Sequence, residues 1–412
     1  MKQTFPPLML VFVFGFFCLP VLANDGKVPP PERKVIAVAM SVSSTMEGSG
    51  RWRTWQNNKH NPEKRTSDGR RDIASVFYPS IGLYDVSDPD YIDCACQLMH
   101  LAGIDAITFF TPNTADGWRM NALKRWGDVM KKYNLTGMPR PQPKSRVEDL
   151  DQLMAVFKPV AFTYHGRPLL PFFNIDPSTL PALSHWKESF APASKPILVK
   201  WLQQTCSPPF DGGFDWVGDA THPDRSISQK GDWKRYFDAR LAREGYDSDV
   251  RRARQLLEKG AMSVYIDGVN PGFDDSAVNG WGRGSHYIER ANGETYRYRW
   301  KRAVENGFDL ACIPTWDDWG EGSMIEPTVE FGNLYLEITR EYTAKFKGIA
   351  PRSGNFDLPQ WIYLIRKNPK AEAARPLLTK ACELLEKDEW ENAEKLVRPL
   401  AVQYAITNRM YR

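Results

Sequence analysis

The feature that most constrains the fold is a repeated alternation of short apolar runs with helical patterns along residues 35–347. Apolar runs rich in branched side chains predict buried strands, whereas apolar residues spaced three and four apart predict helices. Eight strands are predicted, at residues 35–40, 104–110, 135–138, 168–173, 197–201, 214–218, 262–266 and 310–314. The third is a poor strand, because the prolines that follow it cannot donate to a sheet.

Helices are predicted between these strands. The first opens at Asp88 and Pro89, an N-cap residue and a first-turn proline, and stops at Gly103. The others are predicted at residues 117–133, 146–160, 178–190, 294–305 and 331–346, with two helices broken near Gly245 within 232–259.

Eight strands alternating with helices over about 310 residues indicate an α/β fold, the (β/α)8 TIM-type barrel. A doubly wound sheet is the competing architecture, but no Gly-rich phosphate turn follows the first strand. Residues 35–347 are therefore predicted to form the barrel domain. Residues 348–412 are predicted to add two or three helices, because Leu377, Ala381 and Leu384 have helical spacing.

The amino-terminal segment predicts a secretory signal peptide at residues 1–23. Lys2 precedes an apolar stretch, and Val21-Leu22-Ala23 supplies small residues suited to cleavage after Ala23. Residues 24–34 contain three successive prolines and predict a linker. We therefore expect a secreted or periplasmic protein, and no other segment approaches the roughly 20 apolar residues that a membrane span requires.

Composition narrows the classes of function. A formal net charge of +4, spread along the chain, gives no reason to expect a nucleic-acid partner. Five of the six cysteines follow the signal peptide, and an odd number without framework spacing argues against a disulfide scaffold. Cys94 and Cys96 are expected to be inert thiols. The histidines are scattered without metal-ligand spacing, so neither a metal nor another cofactor is expected. Nothing in the sequence specifies an oligomeric state.

Residues 315–327 carry the most informative cluster of chemistry. Asp318 and Glu321 follow the end of the last predicted strand, beside Trp316 and Trp319. Carboxyl groups beside indole rings suit a site that grips a sugar and protonates a glycosidic oxygen, and such sites lie after barrel strands. Each residue alone also fits a structural role, as a core aromatic or a loop-capping acid, and Asp317 is the alternative to Asp318.

Further candidates share a position after a predicted strand, at the face where barrel sites form. Core packing for the aromatic residues and loop capping for the acids are the competing interpretations. The candidates are Trp281 and Trp319 as sugar-stacking platforms, Asp219, Asp274 and Asp275 as contacts to sugar hydroxyls, and Tyr84 and Asp85 as contacts in the first barrel loop. Glu326 is expected to brace the loop.

The run Trp-Asp-Asp-Trp-Gly-Glu-Gly-Ser-Met-Ile-Glu-Pro resembles the last-strand signature of glycoside hydrolase family 99, the endo-α-mannanase and endomannosidase family. That signature reads approximately Asn-Glu-Trp-His-Glu-Gly-Thr-Gln-Ile-Glu-Pro. Residues 78–89, which lead into 102–107, and residues 268–276, followed by Trp281, are similar to two other stretches of the family. The resemblance covers the barrel and not the tail.

Two positions depart from this signature. Asp318 stands where the family has Glu, and Gly320 stands where it has His. With both changes the sequence is similar to glycoside hydrolase family 71, the α-1,3-glucanases, whose motif runs near Trp-Asn-Asp-(Trp or Tyr)-Gly-Glu. A non-catalytic carbohydrate-binding protein on a degenerate barrel is the alternative that these departures motivate.

The resemblance implies a (β/α)8 fold and cleavage within an α-linked polysaccharide, of the α-mannan or α-1,3-glucan type. It implies that Glu321 is the general acid and that Asp318 is the second catalytic carboxylate. In family 99 the second group acts on the sugar's own 2-hydroxyl, whereas in a direct displacement it activates water. The shorter Asp318 leaves both routes open.

Overall fold

The computed structural model describes residues 32–111, 114–142, 145–173, 175–201, 207–217 and 246–406. The predicted signal peptide, most of the linker, Asp219 and the first helix of the 232–259 segment lie outside these residues. The division into barrel and extension stays a prediction. Within the described ranges, no helix has both the length and the apolar character needed to cross a membrane.

Eleven strands occur in the described part of the chain. They are β1 (Lys34–Ala39), β2 (Ala106–Phe110), β3 (Thr136–Arg140), β4 (Thr163–Tyr164), β5 (Arg167–Phe172), β6 (Ile197–Trp201), β7 (Gly212–Phe214), β8 (Val264–Gly268), β9 (Phe273–Asp274), β10 (Tyr287–Ile288) and β11 (Leu310–Ile313). Strands β9 and β10 pair as a separate hairpin, and the other nine form one sheet.

The strand order of the large sheet is β3-β2-β1-β11-β8-β7-β6-β5-β4. Neighbouring strands of this sheet pair in parallel, except that β4 pairs antiparallel with β5. A parallel bridge between Gly137 and Ala161 links β3 to the segment that precedes β5. Eight parallel strands thus follow one another in chain order around a closed circuit, which confirms the predicted (β/α)8 fold.

Both faces of the strands are buried, which explains their nearly continuous apolar sequence. On β1, Ile36 and Val38 pack in the same cluster as Ile266 of β8 and Cys312 of β11. The alternate residues of β1 pack instead in the cluster that contains the surrounding helices. This alternation is the pattern expected of a barrel whose interior is filled by side chains.

Strand β3 extends beyond its predicted end at Met138. Phe109 pairs with Pro139 and Phe110 pairs with Arg140, so the strand continues through the proline. On its other side β3 meets its neighbour through the bridge at Gly137, before the proline is reached. The missing N–H of Pro139 is therefore tolerated here, as it is on an edge strand.

Helices surround the barrel and form the carboxyl-terminal extension. They are α1 (Met46–Ser49), α2 (Pro89–Leu101), α3 (Gly117–Met130), α4 (Val147–Phe157), α5 (Leu180–Glu188), α6 (Tyr246–Glu258), α7 (Glu294–Asn306), α8 (Leu334–Lys347), α9 (Asp357–Arg366), α10 (Arg375–Leu385) and α11 (Trp390–Gln403). The Asp88 side chain accepts a hydrogen bond from the Asp90 amide and caps α2, as predicted.

The extension packs on the barrel through α9 and α2. Leu358 and Ile365 of α9 are fully buried in the cluster that also contains the buried side chains of α2. At the edge of this contact, the Arg366 guanidinium lies 3.0 Å from the Asp93 carboxylate. Cys94 and Cys96, on α2, are free and buried, and burial raises the pKa of both thiols. This agrees with their prediction as inert cysteines.

Truncation of Ile365 to Ala tests whether the extension stabilises the barrel. We expect Ile365→Ala to lower the free energy of unfolding by about 2–5 kcal/mol, because it leaves a cavity between α9 and its neighbours. Leu377→Ala is the matched control, since 44% of the Leu377 surface is exposed, and its effect should stay within about 0.5 kcal/mol. Urea unfolding of both variants measures the difference, and equal values would contradict the proposed contact.

Candidate active site

The loop after β11 is fixed by backbone hydrogen bonds to itself and to β1. The Thr315 amide donates to the Ser323 carbonyl at 3.1 Å, and the Ile325 amide donates back to Thr315 at 3.0 Å. The Trp316 amide donates to the carbonyl of Val38 at 2.6 Å. The loop is therefore a closed turn attached to the barrel, and it holds its side chains at the carboxyl end of the strands.

Asp318 and Glu321 lie together on this turn. The amide of Glu321 donates to Asp318 Oδ1 at 3.0 Å, so the second residue helps to orient the carboxylate of the first. Asp318 is 8% exposed, whereas Glu321 is partly exposed. The structure brings the two predicted acids into one site, and the role of each stays a prediction.

Burial raises the pKa values of the two acids above those of ordinary carboxyl groups. Loss of solvent raises the pKa of Asp318 to about 6, against the lowering effects of the Glu321 amide and the Arg140 charge. Burial and then the charge of Asp318 raise the pKa of Glu321 to about 8. Near neutral pH the pair can therefore hold a protonated Glu321 beside an ionised Asp318, the arrangement required of an acid and a base.

Asp317 has a structural position. Its carboxylate accepts hydrogen bonds from the amides of Met40 at 2.6 Å and Ser41 at 3.0 Å, at the end of β1. Burial raises the pKa of Asp317 to about 7, although these two amides favour its ionised form. The carboxylate therefore attaches the loop to β1, and Asp318 is the acid that remains beside Glu321.

Two of the predicted tryptophans are core residues, which corrects the expectation that they face a sugar. Trp316 is 0% exposed and Trp319 is 3% exposed. The indole N–H of Trp319 donates to the Tyr84 hydroxyl at 2.7 Å, and that hydroxyl donates to Glu326 at 2.5 Å. An indole enclosed on both faces cannot stack on a ligand. Glu326 braces the loop from beneath, as predicted.

Tyr84 and Asp85 do not fit the predicted sugar contacts either. Tyr84 is buried between Trp319 and Tyr91, whose ring lies 3.8 Å from its own. The carboxylate of Asp85 accepts from the hydroxyl of Ser49 and from the amide of Ser87. Both residues are 2% exposed. Because their contacts are made inside the protein, these side chains stabilise the first barrel loop.

Trp281 is the predicted platform that the structure leaves accessible. It is 49% exposed, and its indole nitrogen lies 3.3 Å from Glu321 Oε1. Asp275 is buried and accepts from the amide of His286 at 2.6 Å, so it holds the loop that carries Trp281. The amide of Asp274 donates to the carbonyl of Glu321 at 2.8 Å. Sugar contacts by Trp281 and by the partly exposed Asp274 stay predictions.

Arg140, at the end of β3, was not predicted as a site residue. Its guanidinium is buried 4.8 Å from the centre of the Trp216 ring and 5.2 Å from that of Phe110. Burial lowers the pKa of Arg140 to about 10, so it stays charged near neutral pH, and its charge favours the ionised forms of Asp318 and Glu321. The available signal was a charged residue at the end of an otherwise apolar strand.

No metal centre is found in the part of the chain that the structure describes, where no group of three or more His, Cys, Asp or Glu side chains is placed to bind an ion. Separately, the two carboxyl groups of the site are suited to proton transfer to and from a ligand.

Two unlike carboxyl groups at the carboxyl end of a (β/α)8 barrel are an arrangement that one class of such barrels, the glycosidases, uses. Within that class, the model of glycosyl hydrolase family 99 matches residues 49–347, and the chain belongs to this family. The comparisons give no support to the family 71 side of the resemblance.

Several curated relatives are described as endo-alpha-1,2-mannosidases or as proteins similar to them. The chain is 26% identical over 313 residues to a glycoprotein endo-alpha-1,2-mannosidase of Rattus norvegicus, covering 67% of this chain and 64% of that protein. It is 23% identical over 304 residues to a glycoprotein endo-alpha-1,2-mannosidase-like protein of Danio rerio, covering 68% and 64%. The chain thus spans less than two thirds of the length of these relatives.

A solved structure supports the fold. The GH99 endo-alpha-mannosidase from Bacteroides thetaiotaomicron superposes with a TM-score of 0.57 at 18% sequence identity. The superposition covers 76% of this chain and 97% of that chain. At this identity the likeness shows the fold alone.

Replacement of Asp317 separates the structural acid from its neighbour. We expect Asp317→Ala to destabilise the protein by about 2–4 kcal/mol, because it leaves the amides of Met40 and Ser41 buried without their acceptor. Asp318→Asn keeps an acceptor for the Glu321 amide and should change stability by less than about 1 kcal/mol. Thermal and urea unfolding check both values, and a fully stable Asp317→Ala variant would show that the loop does not depend on this contact.

Proposed function

We propose that this protein is an endo-acting glycosidase that cleaves α-linkages within a mannose-containing glycan. The observation that carries the proposal is the pair Asp318 and Glu321 on one turn, where burial raises the pKa values of both and the charge of Asp318 raises that of Glu321 further. Family membership and the endo-alpha-1,2-mannosidase descriptions of the relatives support the reaction and the sugar.

In the proposed reaction, Glu321 is the general acid. Its proton passes to the glycosidic oxygen as the bond from that oxygen to the anomeric carbon breaks, and the electron pair of the bond stays on the oxygen. A raised pKa keeps Glu321 protonated until this step, which is the requirement for an acid working near neutral pH.

Asp318 is the proposed base. In one route it takes a proton from the 2-hydroxyl of the sugar, whose oxygen attacks the anomeric carbon to close a three-membered ring. Water then opens this ring at the anomeric carbon, and the 2-oxygen regains a proton. In the other route Asp318 takes a proton from a water molecule that attacks the anomeric carbon directly. The Glu321 amide holds Asp318 Oδ1 at 3.0 Å, so the base has a fixed orientation relative to the acid. The nearby Arg140 charge helps to keep Asp318 ionised.

The substrate of such an enzyme is an oligosaccharide or polysaccharide that passes across the open side of the site. The exposed indole of Trp281, which borders Glu321, is the proposed stacking surface for one of its rings. We also propose that the protein is exported, because residues 1–23 have the pattern of a signal peptide.

Substitution of the acid tests the proposal. We expect wild-type protein to release reducing ends from an α-1,2-linked mannan and to show little activity on α-1,3-glucan. Glu321→Gln keeps the shape of the side chain but has no proton to give, so kcat should fall by about 10²–10⁴-fold. Reducing-end and chromatographic assays of the products measure the rate and show whether internal bonds are cut.

Asp318→Asn is the companion variant, and we expect a loss of similar size with unchanged folding. If oligosaccharides bind tightly to wild-type protein without turnover, and binding survives both substitutions, the protein is a carbohydrate-binding barrel instead. NMR of the first-formed anomer separates the two base mechanisms, since the 2-hydroxyl route gives net retention and direct attack by water gives inversion.

The pH dependence of kcat/KM provides a further prediction. The base must be ionised, so activity should rise as pH increases through about 6, the pKa of Asp318. The acid must be protonated, so activity should fall as pH increases through about 8, the pKa of Glu321. Each limb of the profile reports an apparent pKa of the Asp318–Glu321 pair as a whole. A profile that is flat from pH 5 to pH 9 would contradict the assignment.

A further inference from the structure

Trp281 reaches Glu321 from a different loop, and its backbone conformation makes this possible. Asn279, Gly280 and Trp281 have φ values of 50, 56 and 54°, all in the left-handed region. Asn and Gly accept this conformation readily, but a bulky residue rarely does. Backbone held in such a conformation is found where the surrounding structure fixes it, often at functional sites.

The surrounding contacts fix this loop. The amide of Gly280 donates to the carbonyl of Asp275 at 3.1 Å, and the buried Asp275 carboxylate accepts from the amide of His286. From the first barrel loop, Asn58 Nδ2 lies 2.9 Å and His60 Nε2 lies 3.1 Å from the carbonyl oxygen of Ala277. These contacts hold the backbone of the loop from which the Trp281 indole projects.

Gly320 provides the space that the indole occupies. A Cβ atom on Gly320 would lie 3.1 Å from Trp281 Cζ2 and 3.3 Å from Cη2, closer than side chains normally pack. The indole therefore lies directly against the backbone that precedes Glu321. The absence of a side chain at position 320 and the presence of Trp281 form one arrangement.

We propose that Trp281 is a positioning residue that fixes which oxygen of Glu321 carries the catalytic proton. This inference rests on the proposed function and assigns to Trp281 a role beyond sugar stacking. The indole N–H is a donor only, so the oxygen that it contacts, Oε1, acts as the acceptor. In the protonated acid the proton then resides on Oε2, which is the oxygen that gives it to the glycosidic bond.

The same contact supports the acid after the proton has left. As Glu321 loses its proton, the neutral hydrogen bond from Trp281 becomes charge-assisted and therefore stronger. The indole N–H thus favours the carboxylate and lowers the pKa of Glu321. The other charged groups that act on Glu321 are Asp318 and Asp275, which raise its pKa, and Arg140, which lowers it.

Trp281→Phe tests the inference because it keeps an aromatic face and removes the N–H. With an α-1,2-mannooligosaccharide, kcat should fall on the order of tenfold, the range of one charge-assisted hydrogen bond. The alkaline limb of kcat/KM should move to higher pH. With a 4-nitrophenyl α-mannobioside, whose leaving group departs without protonation, the rate should change less than twofold.

A stacking role alone gives a different result. In that case Trp281→Phe leaves the alkaline limb in place and acts on KM for both substrates, and this result would overturn the inference. If wild-type protein is active and Glu321→Gln is not, an unmoved limb refutes the role of Trp281 while the proposed function stands. If neither substrate is cleaved by wild-type protein, the proposed function itself fails.

A measurement without substrate tests the role of Trp281 even if wild-type protein cleaves neither substrate. The carboxylic C=O infrared band that disappears in Glu321→Gln reports the protonation of Glu321 in the resting protein. In Trp281→Phe this band should persist to higher pH and shift in frequency, because its oxygen has lost a donor. An identical band in the wild type and the variant would show that the indole does not bond to the acid.

Gly320→Ala provides an independent route to the same change. Its Cβ should displace the indole while the N–H remains in the chain, so the alkaline limb should move in the same direction as in Trp281→Phe. In the double variant the second substitution should add no further movement, because both act on one contact. Additive movements of the limb would show that Gly320 acts independently of Trp281 and would contradict the arrangement.

Discussion

Four carboxyl groups, three of them buried and one partly exposed, lie at one end of an apolar barrel, and this is the constraint on which the site depends. Each buried acid requires compensation, and the four are compensated differently. Asp317 accepts two amides of β1, and Glu326 receives the hydroxyl of Tyr84. Asp318 has the amide of Glu321 and the charge of Arg140. For Glu321, burial and the charge of Asp318 favour the protonated form, and only a long hydrogen bond from Trp281 and the charge of Arg140 oppose them.

The barrel was predictable because its strands are buried on both faces and its helices on one, and these patterns differ in period. The strand at 197–201 has the predicted bounds, and α2 begins at its predicted cap. The extent of β3 was not predictable. Pro139 is tolerated in this strand because, beyond Gly137, one side of the strand has no paired neighbour that needs its N–H. Which part of β3 lacks a paired neighbour depends on how the sheet is arranged and not on the local sequence.

The site was predictable in part for a similar reason. Position after a strand places Asp318 and Glu321 at the correct end of the barrel, whatever the loop does. Composition does not distinguish an indole that a ligand can reach from one that fills the core, so Trp319 and Trp281 looked alike. The difference arises from tertiary contacts: Trp319 donates to Tyr84 beneath the loop, whereas the left-handed turn at Trp281 directs its ring over Gly320.

Hydrogen bonds hold the acid and the base on the same turn. Asp317 attaches the turn to β1, the amide of Glu321 holds Asp318, and the Asp274 amide attaches the carbonyl of Glu321 to the neighbouring loop. The indole of Trp281 belongs to the neighbouring loop and contacts Glu321 from there. Position 320 is a glycine where the family 99 signature has His, and the Trp281 indole lies against the backbone at this position.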